Sequence, residues 1–364
     1  MTTRDTQLVV EEVAAAFARG EIVVVADDDD RENEGDLFVA ASMCTAEKMA
    51  FVIRHTSGIV CAPLSVEEAK RLHLDPMVAL NDAPLGTAFT VSIDVRHGLT
   101  TGISAEERTN TVRALANPNS GAADFVRPGH VFPLIAKEGG VLMRSGHTEA
   151  CIDLCRLAGL PPVGVLSELM NDDGTVMRGA EVAQFADKHG LKRVTIADLI
   201  AYRQVREKLV ERVSEFAYTT EIGTLKGYAY VTRFDKVHHI ALVHGRIGDG
   251  RDVPTRLHRA NILRDIFGGA PDVHGALKRF AAAGRGVVVF LRDGSAGVPV
   301  AALPQDGEHA SEAARQRQWR EIGLGAQILK DLGISSIRLL TSAEHRYVGL
   351  AGFGIEIVGS EPIG

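Results

Sequence analysis

The sequence predicts two domains, an α+β first domain built around a mixed sheet and an α/β second domain. The chain has 364 residues, more than one ordinary domain usually contains. Hydrophobic residues make up 45% of it and charged residues 24%, so each half is able to bury a core. Runs of β-branched residues at 22–26 and 163–166 are predicted core strands, and helical periodicity separates such runs along the chain.

The first half alternates helices and strands. An amphipathic helix is predicted over residues 7–19, ended by Gly20, with a buried strand over 21–26. Ser65 with Glu68, and Ser104 with Glu107, have the spacing of capping boxes that open helices. Further helices are predicted at 45–56, 66–72, 104–116, 147–158 and 179–189, and further strands at 59–64, 87–94 and 163–168, with a short apolar stretch at 37–41.

The second half begins after a long, charged, helical pattern over residues 196–215, which we predict to be a linker helix. The expected domains are residues 1–207 and 208–364. Beyond the linker, strands are predicted at 227–234, 239–243, 286–291 and 336–340, and helices at 273–283 and 311–332. The polar stretch 305–320 is predicted to be a loop.

Charge and cysteine content exclude several classes of protein. The net charge is −7 with both signs interspersed, whereas a nucleic-acid binder normally carries a basic stripe. No apolar run approaches the roughly 20 residues that span a bilayer. The four cysteines form no Cys-x-x-Cys pair and no secretory signal is seen, so a cytoplasmic location is expected. Cys151 and Cys155, one helical turn apart, are either a metal or redox pair or small buried helix residues.

An acidic segment directly follows the first predicted strand. Between Asp27 and Asp36 the chain carries seven carboxylates and one cation, Arg31. Like charges at this density repel one another unless solvent or a hard cation relieves the repulsion. Carboxylate oxygens are preferred Mg²⁺ ligands, so the segment is either a solvated loop or part of a Mg²⁺ site on a turn.

Two further clusters combine cationic, hydroxyl and imidazole side chains, at residues 127–130 (RPGH) and 144–149 (RSGHTE). In the second cluster a cation, hydroxyl donors and the backbone N–H groups of a helix starting near His147 suit a phosphate group. His147 itself is a candidate metal ligand or proton acceptor, with a purely structural role as the alternative.

Six segments of the first domain, in order over about residues 8–205, resemble the 3,4-dihydroxy-2-butanone 4-phosphate synthase family. They are DDDRENEGD from Asp28, RHTSGIVC from Arg54, TTGISAEER from Thr100, RPGHVFPL from Arg127, RSGHTE from Arg144 and ELMNDDG from Glu168.

The resemblance implies a lyase of riboflavin biosynthesis that converts ribulose 5-phosphate to 3,4-dihydroxy-2-butanone 4-phosphate and formate, with Mg²⁺, or alternatively Mn²⁺, as cofactor. It implies a homodimer with the site near the subunit interface, and an acidic loop that closes on substrate, with Gly35 as pivot. It implies that Glu32 and His147 bind the metal and that His130, Glu168, Glu32 and Asp36 are catalytic. The implied substrate-binding residues are Arg31, Glu32, Asp36, Arg144, Ser145, Gly146, His147, Thr148 and Glu168.

The chemistry needs the same kinds of groups. An enediol forms from a ketose when a base removes a carbon-bound proton while an acid or a metal stabilises the enediolate. Later proton transfers require further titratable groups, which the acidic segment and the histidines supply. Cys61 is placed near the site without a covalent role. Thr100, Thr101, Ser104 and Arg108 either line the pocket or, for the last two, form a helix cap and a surface arginine.

Residues from about 208 onward resemble GTP cyclohydrolase II, in ALVHGRIGD from Ala241, GRGVVVFLR from Gly284, GLGAQILKDLG from Gly323 and the stretch 338–358. That family binds Zn²⁺ through three cysteines, whereas all four cysteines of this chain precede residue 156. Asn261, Asp272 and His274 stand at the corresponding positions, a poor Zn²⁺ set. In the stretch that corresponds to residues 292–297 (RDGSAG), the family carries a second arginine, which this chain lacks. We therefore expect no Zn²⁺ and no cyclohydrolase activity.

Three hypotheses follow. The leading one is a synthase whose second domain is structural or regulatory. An alternative is a bifunctional enzyme that also has GTP cyclohydrolase II activity. The third is a non-catalytic binding protein, which predicts erosion of the first-domain motifs, and these motifs are intact.

Overall fold

The computed structural model describes residues 3–27, 33–83, 85–232, 237–261, 263–292, 323–341 and 355–363. The chain folds into two compact units, Met1–Arg203 and Gln204–Gly364. Across the described ranges, no helix has the length and apolar character needed to cross a membrane. The predicted loop at 305–320 lies outside the described residues.

The first unit contains a mixed sheet, as predicted, and its seven strands lie in the order β4-β5-β3-β6-β2-β1-β7. Its strands are β1 (Val23–Ala26), β2 (Gly35–Ala40), β3 (Cys61–Leu64), β4 (Ile93–Val95), β5 (Phe125–Ile135), β6 (Gly164–Glu168) and β7 (Lys192–Thr195). The helices are α1 (Thr3–Ala18), α2 (Ala46–His55), α3 (Val66–Arg71), α4 (Ala105–Leu115), α5 (His147–Leu157), α6 (Ala180–His189) and α7 (Ile196–Arg206).

The predicted helix caps are present. The Ser65 hydroxyl accepts the Glu68 backbone N–H at the start of α3, and the Ser104 hydroxyl accepts that of Glu107 at the start of α4. The strand predicted over 87–94 is much shorter, because only its end belongs to β4 and Phe89 and Thr90 make isolated bridges. Strand β5 was not predicted, because Pro128 and Gly129 interrupt its alternating pattern.

Helix α5 packs closely on the sheet at Gly164. A Cβ atom at this position would lie 2.1 Å from the Cys151 Sγ, so only glycine allows the helix to approach. Cys151 and Cys155 are both fully buried free thiols, and burial raises the pKa of Cys151. These observations favour the interpretation of the two cysteines as small core residues.

The second unit contains another seven-stranded mixed sheet, in the order β14-β13-β11-β12-β10-β9-β8. Helix α8 (Pro271–Ala283) packs on it through Leu277 and Phe280, and a further helix covers residues 323–331. The strands are β8 (Val210–Thr220), β9 (Gly223–Thr232), β10 (His239–His244), β11 (Val253–Arg259), β12 (Gly286–Leu291), β13 (Ser336–Thr341) and β14 (Glu356–Pro362).

The linker helix predicted over 196–215 is wrong in its second half, because α7 ends at Arg206 and β8 begins at Val210. The misleading signal is the spacing of Arg212 and Glu215, which pair at 2.9 Å like residues on one helix face. In the structure a register shift between Arg212 and Ser214 inserts one extra residue into the strand. This β-bulge places residues three apart on the same side of a strand.

Candidate active site

Three residues predicted for the site lie at the same end of one face of the first sheet. Asp36 on β2 is the direct partner of Glu168 on β6. One row further in, the partners across four strands are Phe38, Leu166, Cys61 and Phe132. Because side chains alternate with a period of two, Asp36, Glu168 and His130 share the face of that row. Asp36 is buried and Glu168 is exposed.

The N-terminus of α5 covers this corner of the sheet. His147, the first residue of the helix, places its Nε2 3.9 Å from the Asp36 Oδ1 and packs edge-on against Phe38. Gly146 is the N-cap and has no side chain with which to accept the first helical N–H groups. These N–H groups and the helix dipole favour an anion at the same place. Thr148 is buried and Ser145 half-buried beside it.

His130 is oriented by Asp94, a residue that the sequence did not single out. The His130 Nδ1 lies 2.7 Å from the Asp94 Oδ2, and the His130 backbone N–H donates to the Asp94 Oδ1 at 2.9 Å. Asp94 is 4% exposed in its side chain, whereas His130 is 40% exposed. Since a carboxylate only accepts, the Nδ1–H donates to it, and in a neutral ring the Nε2 is then the nitrogen with the lone pair.

Gly102 makes room for the His130–Asp94 pair. A Cβ atom there would lie 2.2 Å from the Asp94 Oδ2 and 2.6 Å from the His130 Nδ1, and the backbone has φ +82°. Glu107 holds this segment by accepting hydrogen bonds from the Thr100 backbone and hydroxyl, at 2.7 Å each. The Thr100 hydroxyl is the main reason why the pKa of Glu107 is lowered.

Ser104 is a helix cap, as one of the two interpretations holds, but Arg108 is not a surface residue. It is 5% exposed and donates from Nη1 to the Gly58 carbonyl at 2.9 Å. Burial lowers its pKa. Arg108 therefore ties α4 to the segment that precedes β3.

Arg144 forms a buried ion pair with a carboxylate of α5. Its Nη1 donates to the Glu149 Oε2 at 2.7 Å, and its Nη2 to the Leu85 carbonyl and the Thr87 hydroxyl at 3.2 Å. The sequence predicts this guanidinium as a phosphate ligand, and in the structure it pairs with Glu149. Its contacts hold residues 144–146 against the helix.

Cys61 lies beside the carboxylates but is a poor nucleophile. Burial raises the pKa of its thiol well above the ordinary value, and the negative charges of Glu168 and Asp36 raise it further. Only the thiolate is strongly nucleophilic, so the thiol form that these groups favour supports a non-covalent role.

The donor set around His147 suits a hard divalent cation. Arg31 and Glu32 lie outside the described residues, so the predicted metal pair of Glu32 and His147 is only half described. The described part of the chain contains no group of three or more metal-type side chains. Mg²⁺ commonly binds one or two carboxylates and completes its shell with water and substrate oxygens, so the Asp36 carboxylate beside His147 is a ligand type that suits such an ion.

The second unit has ion pairs where its resemblance predicts cysteines. Asp272 contacts Arg256 at 3.2 Å and Arg264 at 2.9 Å. His274 pairs with Glu221 at 3.0 Å, and the Asn261 side chain accepts the Arg264 backbone N–H. All three side chains therefore contact other residues of the same domain.

The first domain thus places carboxylates, imidazoles and the N-terminus of a helix at one end of a mixed sheet, as an enzyme's active site does. The family model of 3,4-dihydroxy-2-butanone 4-phosphate synthase matches residues 11–202, and that of GTP cyclohydrolase II matches residues 211–362. The chain belongs to the 3,4-dihydroxy-2-butanone 4-phosphate synthase family, and it is a lyase of riboflavin biosynthesis.

Several relatives match nearly the whole length of this chain. The riboflavin biosynthesis protein RibBA of Salinispora arenicola is 46% identical over 99% of this chain and 89% of its own length. Two Arabidopsis thaliana proteins are also similar. The bifunctional riboflavin biosynthesis protein RIBA 1, chloroplastic, is 45% identical over 97% of this chain and 68% of its own. The monofunctional riboflavin biosynthesis protein RIBA 2, chloroplastic, is 46% identical over 94% and 74%.

Two crystal structures are similar as well. RibBX, a two-domain 3,4-dihydroxy-2-butanone 4-phosphate synthase from A. baumannii, is 39% identical, with a TM-score of 0.80 over 96% of this chain and 98% of its own. A 3,4-dihydroxy-2-butanone 4-phosphate synthase in complex with two magnesium ions is 48% identical, with a TM-score of 0.54 over 55% of this chain and 99% of its own.

Proposed function

We propose that the first domain converts ribulose 5-phosphate to 3,4-dihydroxy-2-butanone 4-phosphate and formate, with Mg²⁺ as cofactor. The observation that carries this proposal is the placement of Asp36 and Glu168 as direct strand partners, with His147 3.9 Å from Asp36 and His130 on β5 at the same end of the first sheet. These four side chains supply carboxylates and imidazoles of different burial, which a series of proton transfers requires.

His130 acts as a general base or acid through its Nε2. Asp94 fixes the ring orientation and stabilises the imidazolium that forms when the ring takes up a proton. A carboxylate that accepts both the ring and the backbone N–H of the same histidine limits rotation of that side chain. A correctly placed acid or base contributes about 10²–10⁴-fold to the rate.

His147, with Glu32, holds Mg²⁺, and Asp36 and Glu168 bind the substrate beside it. When bound, the ion stabilises negative charge that develops on substrate oxygens. Burial keeps Asp36 and His147 out of bulk water, so their interactions with substrate are stronger than on the surface. Mn²⁺ takes the same carboxylate and water ligands as Mg²⁺ and is expected to substitute.

The phosphate group binds at the N-terminus of α5. Its donors are the hydroxyls of Ser145 and Thr148 and the backbone N–H groups that follow Gly146, and Arg31 stays a predicted substrate-binding residue. Arg144 shapes this site through its ion pair with Glu149.

A homodimer and a cytoplasmic location remain predictions of the sequence. Two similar relatives are named chloroplastic, so the names of relatives do not predict the location of this chain. Gel filtration with light scattering measures the oligomeric state directly.

We propose further that the second domain, predicted from residue 208, lacks GTP cyclohydrolase II activity. The comparisons favour the bifunctional alternative, because the cyclohydrolase model matches residues 211–362 and one similar relative is named bifunctional. Two observations support inactivity: no cysteine follows Cys155, and Asp272 and His274 contact other side chains of the same domain, Arg256 and Glu221 respectively.

One experiment tests both proposals. Formate release from ribulose 5-phosphate is measured with Mg²⁺, with Mn²⁺ and with EDTA, beside GTP consumption and zinc content of the same sample. We expect metal-dependent formate, intact GTP and no stoichiometric zinc. A folded, Mg²⁺-loaded sample that releases no formate contradicts the synthase proposal, and GTP turnover with one zinc per chain establishes the bifunctional alternative.

A further inference from the structure

The segment 139–146 leads into the N-terminus of α5 and is fastened to that helix at both of its ends. At the C-terminal end of the segment, Arg144 pairs with Glu149 at 2.7 Å. At its N-terminal end, the Val141 backbone N–H donates to the Asp153 Oδ2 at 2.9 Å. Glu149 and Asp153 are four residues apart on α5, and each is 1% exposed in its side chain. One face of the helix therefore holds the whole segment through two buried carboxylates.

Arg203 of α7 adds two hydrogen bonds at the N-terminal end of the segment. Its Nη1 donates to the Asp153 Oδ2 at 2.6 Å and to the Gly139 carbonyl at 2.7 Å. The guanidinium thus contacts both the helix and the segment, and it is 9% exposed. It lies far along the chain from the residues that it joins, by 50 positions from Asp153 and 64 from Gly139.

The backbone at Gly140 leaves no freedom around this ion pair. Its φ is +64°, and a Cβ atom there would lie 2.2 Å from the Asp153 Oδ1 and 2.6 Å from the Arg203 Nη1. The segment therefore reaches closest contact with the pair at a residue that has no side chain. Such an approach fixes the path of the chain just before Arg144, Ser145 and Gly146.

We propose that Arg203 is a positioning residue for phosphate binding, which acts by clamping the segment 139–146 onto Asp153. This inference rests on the proposed function, since it assigns the phosphate group to Ser145, Thr148 and the N-terminus of α5. Arg203 does not touch the substrate in this arrangement. Its removal frees the Gly139 carbonyl and leaves Asp153 buried without its main counter-charge, so the segment shifts.

The test compares Arg203→Met with Arg156→Met. Arg156 is a matched control because its Nη1 lies 3.9 Å from the Asp153 Oδ1, but it is 48% exposed and belongs to α5 itself. For Arg203→Met we expect the KM for ribulose 5-phosphate and the inhibition constant of inorganic phosphate to rise together, by about 10- to 100-fold, with a much smaller change in kcat. Arg156→Met keeps the values of the unaltered protein.

A second variant guards against simple unfolding. Asp153→Asn combined with Arg203→Met removes both buried charges and keeps an oxygen that accepts the Val141 N–H, so the fold is retained. We expect the same rise in KM at a nearly unchanged thermal midpoint, because the Gly139 carbonyl has still lost its donor. Added guanidinium is expected to lower the KM of Arg203→Ala.

The outcomes separate the two proposals. If the unaltered protein releases no formate, the proposed function fails. The positioning role of Arg203 is then tested by measuring the dissociation constant of inorganic phosphate directly. If the unaltered protein is active and both Arg203→Met and the double variant keep its KM and phosphate affinity, the clamp has no positioning role. A fall in kcat alone likewise overturns the inference.

Discussion

The His147 Nε2 and the Asp36 Oδ1 lie 3.9 Å apart, with side chains that are 9% and 3% exposed. An imidazole and a carboxylate thus meet in a buried corner formed by the start of α5 and the start of β2. Neither element alone creates the pair, because 111 positions of the sequence separate the two residues. The pair links the proposed metal ligand to a proposed substrate ligand.

Replacing His147 by alanine is expected to raise the Mg²⁺ concentration needed for half-maximal formate release by at least about tenfold. The reason is the loss of an imidazole ligand from a site that has few protein ligands. A Mg²⁺ titration of the activity measures the effect, with circular dichroism as the check on folding. His97→Ala is the control, because His97 is 77% exposed and its ring pairs with Asp124 at the surface. An unchanged Mg²⁺ requirement in His147→Ala rules out His147 as a ligand.

Gly102→Ala is expected to lower kcat by about 10²-fold or more, because its methyl group displaces Asp94 or His130 from their hydrogen bond. Gly98→Ala is a matched control. Gly98 has φ +73° against +82° at Gly102, so both substitutions strain the backbone, but a Cβ at Gly98 meets nothing within 4 Å. Steady-state kinetics of the two variants separate the effects. Equal losses in both would show that backbone strain, not the His130–Asp94 pair, governs activity.

Local signals made much of the first domain predictable. The caps at Ser65 and Ser104 and the helix that begins at His147 depend on residues only a few positions apart, and the structure has them. The clusters at 127–130 and 144–149 likewise pointed to His130 and His147 before any fold was known.

Contacts between distant segments were not predictable in this way. Asp94 meets His130 across 36 positions, and nothing in the stretch that precedes Asp94 distinguishes it from other polar residues of a strand. The ion pair between Arg144 and Glu149 is not predictable from the sequence either, because a cation near a helix start suits a phosphate and a carboxylate equally well. The bulge in β8 produced a false helical spacing.

The second domain is expected to lose stability as the pH falls from 7.5 to 4.5, in part through His239. Burial, and then the charge of Arg292, lower the pKa of His239 from 6.5 to about 4. The folded state therefore holds this ring neutral, with its Nδ1 accepting the Arg292 backbone N–H at 3.1 Å. Between these pKa values only the unfolded chain takes up the proton. Stability is thus full above pH 6.5 and declines toward pH 4, by about 3 kcal/mol at most.

Urea unfolding at several pH values measures this decline. In His239→Gln the slope of unfolding free energy against pH is expected to flatten between pH 6.5 and 4.5. His238→Gln is the control, since His238 is the exposed neighbour of His239 and its ring remains in water. A slope in His239→Gln equal to that of the unaltered protein would assign the pH dependence to other groups.

Asp272→Ala is expected to destabilise the second domain by about 3–5 kcal/mol, because it leaves Arg256 buried without its carboxylate partner. Arg256 is 9% exposed in its side chain and also donates to the Leu340 carbonyl, so it is not free to turn toward water.

Arg264→Met is the matched control. It removes another cation that contacts Asp272, but Arg264 is 54% exposed, and exposed pairs contribute about 0–1 kcal/mol. Chemical unfolding with and without EDTA measures both effects. If ion pairs have replaced a metal here, EDTA leaves the midpoint of the unaltered protein in place. A loss below about 1 kcal/mol in Asp272→Ala, or an EDTA-sensitive midpoint, would show that this corner is held together by something other than the Asp272 pairs.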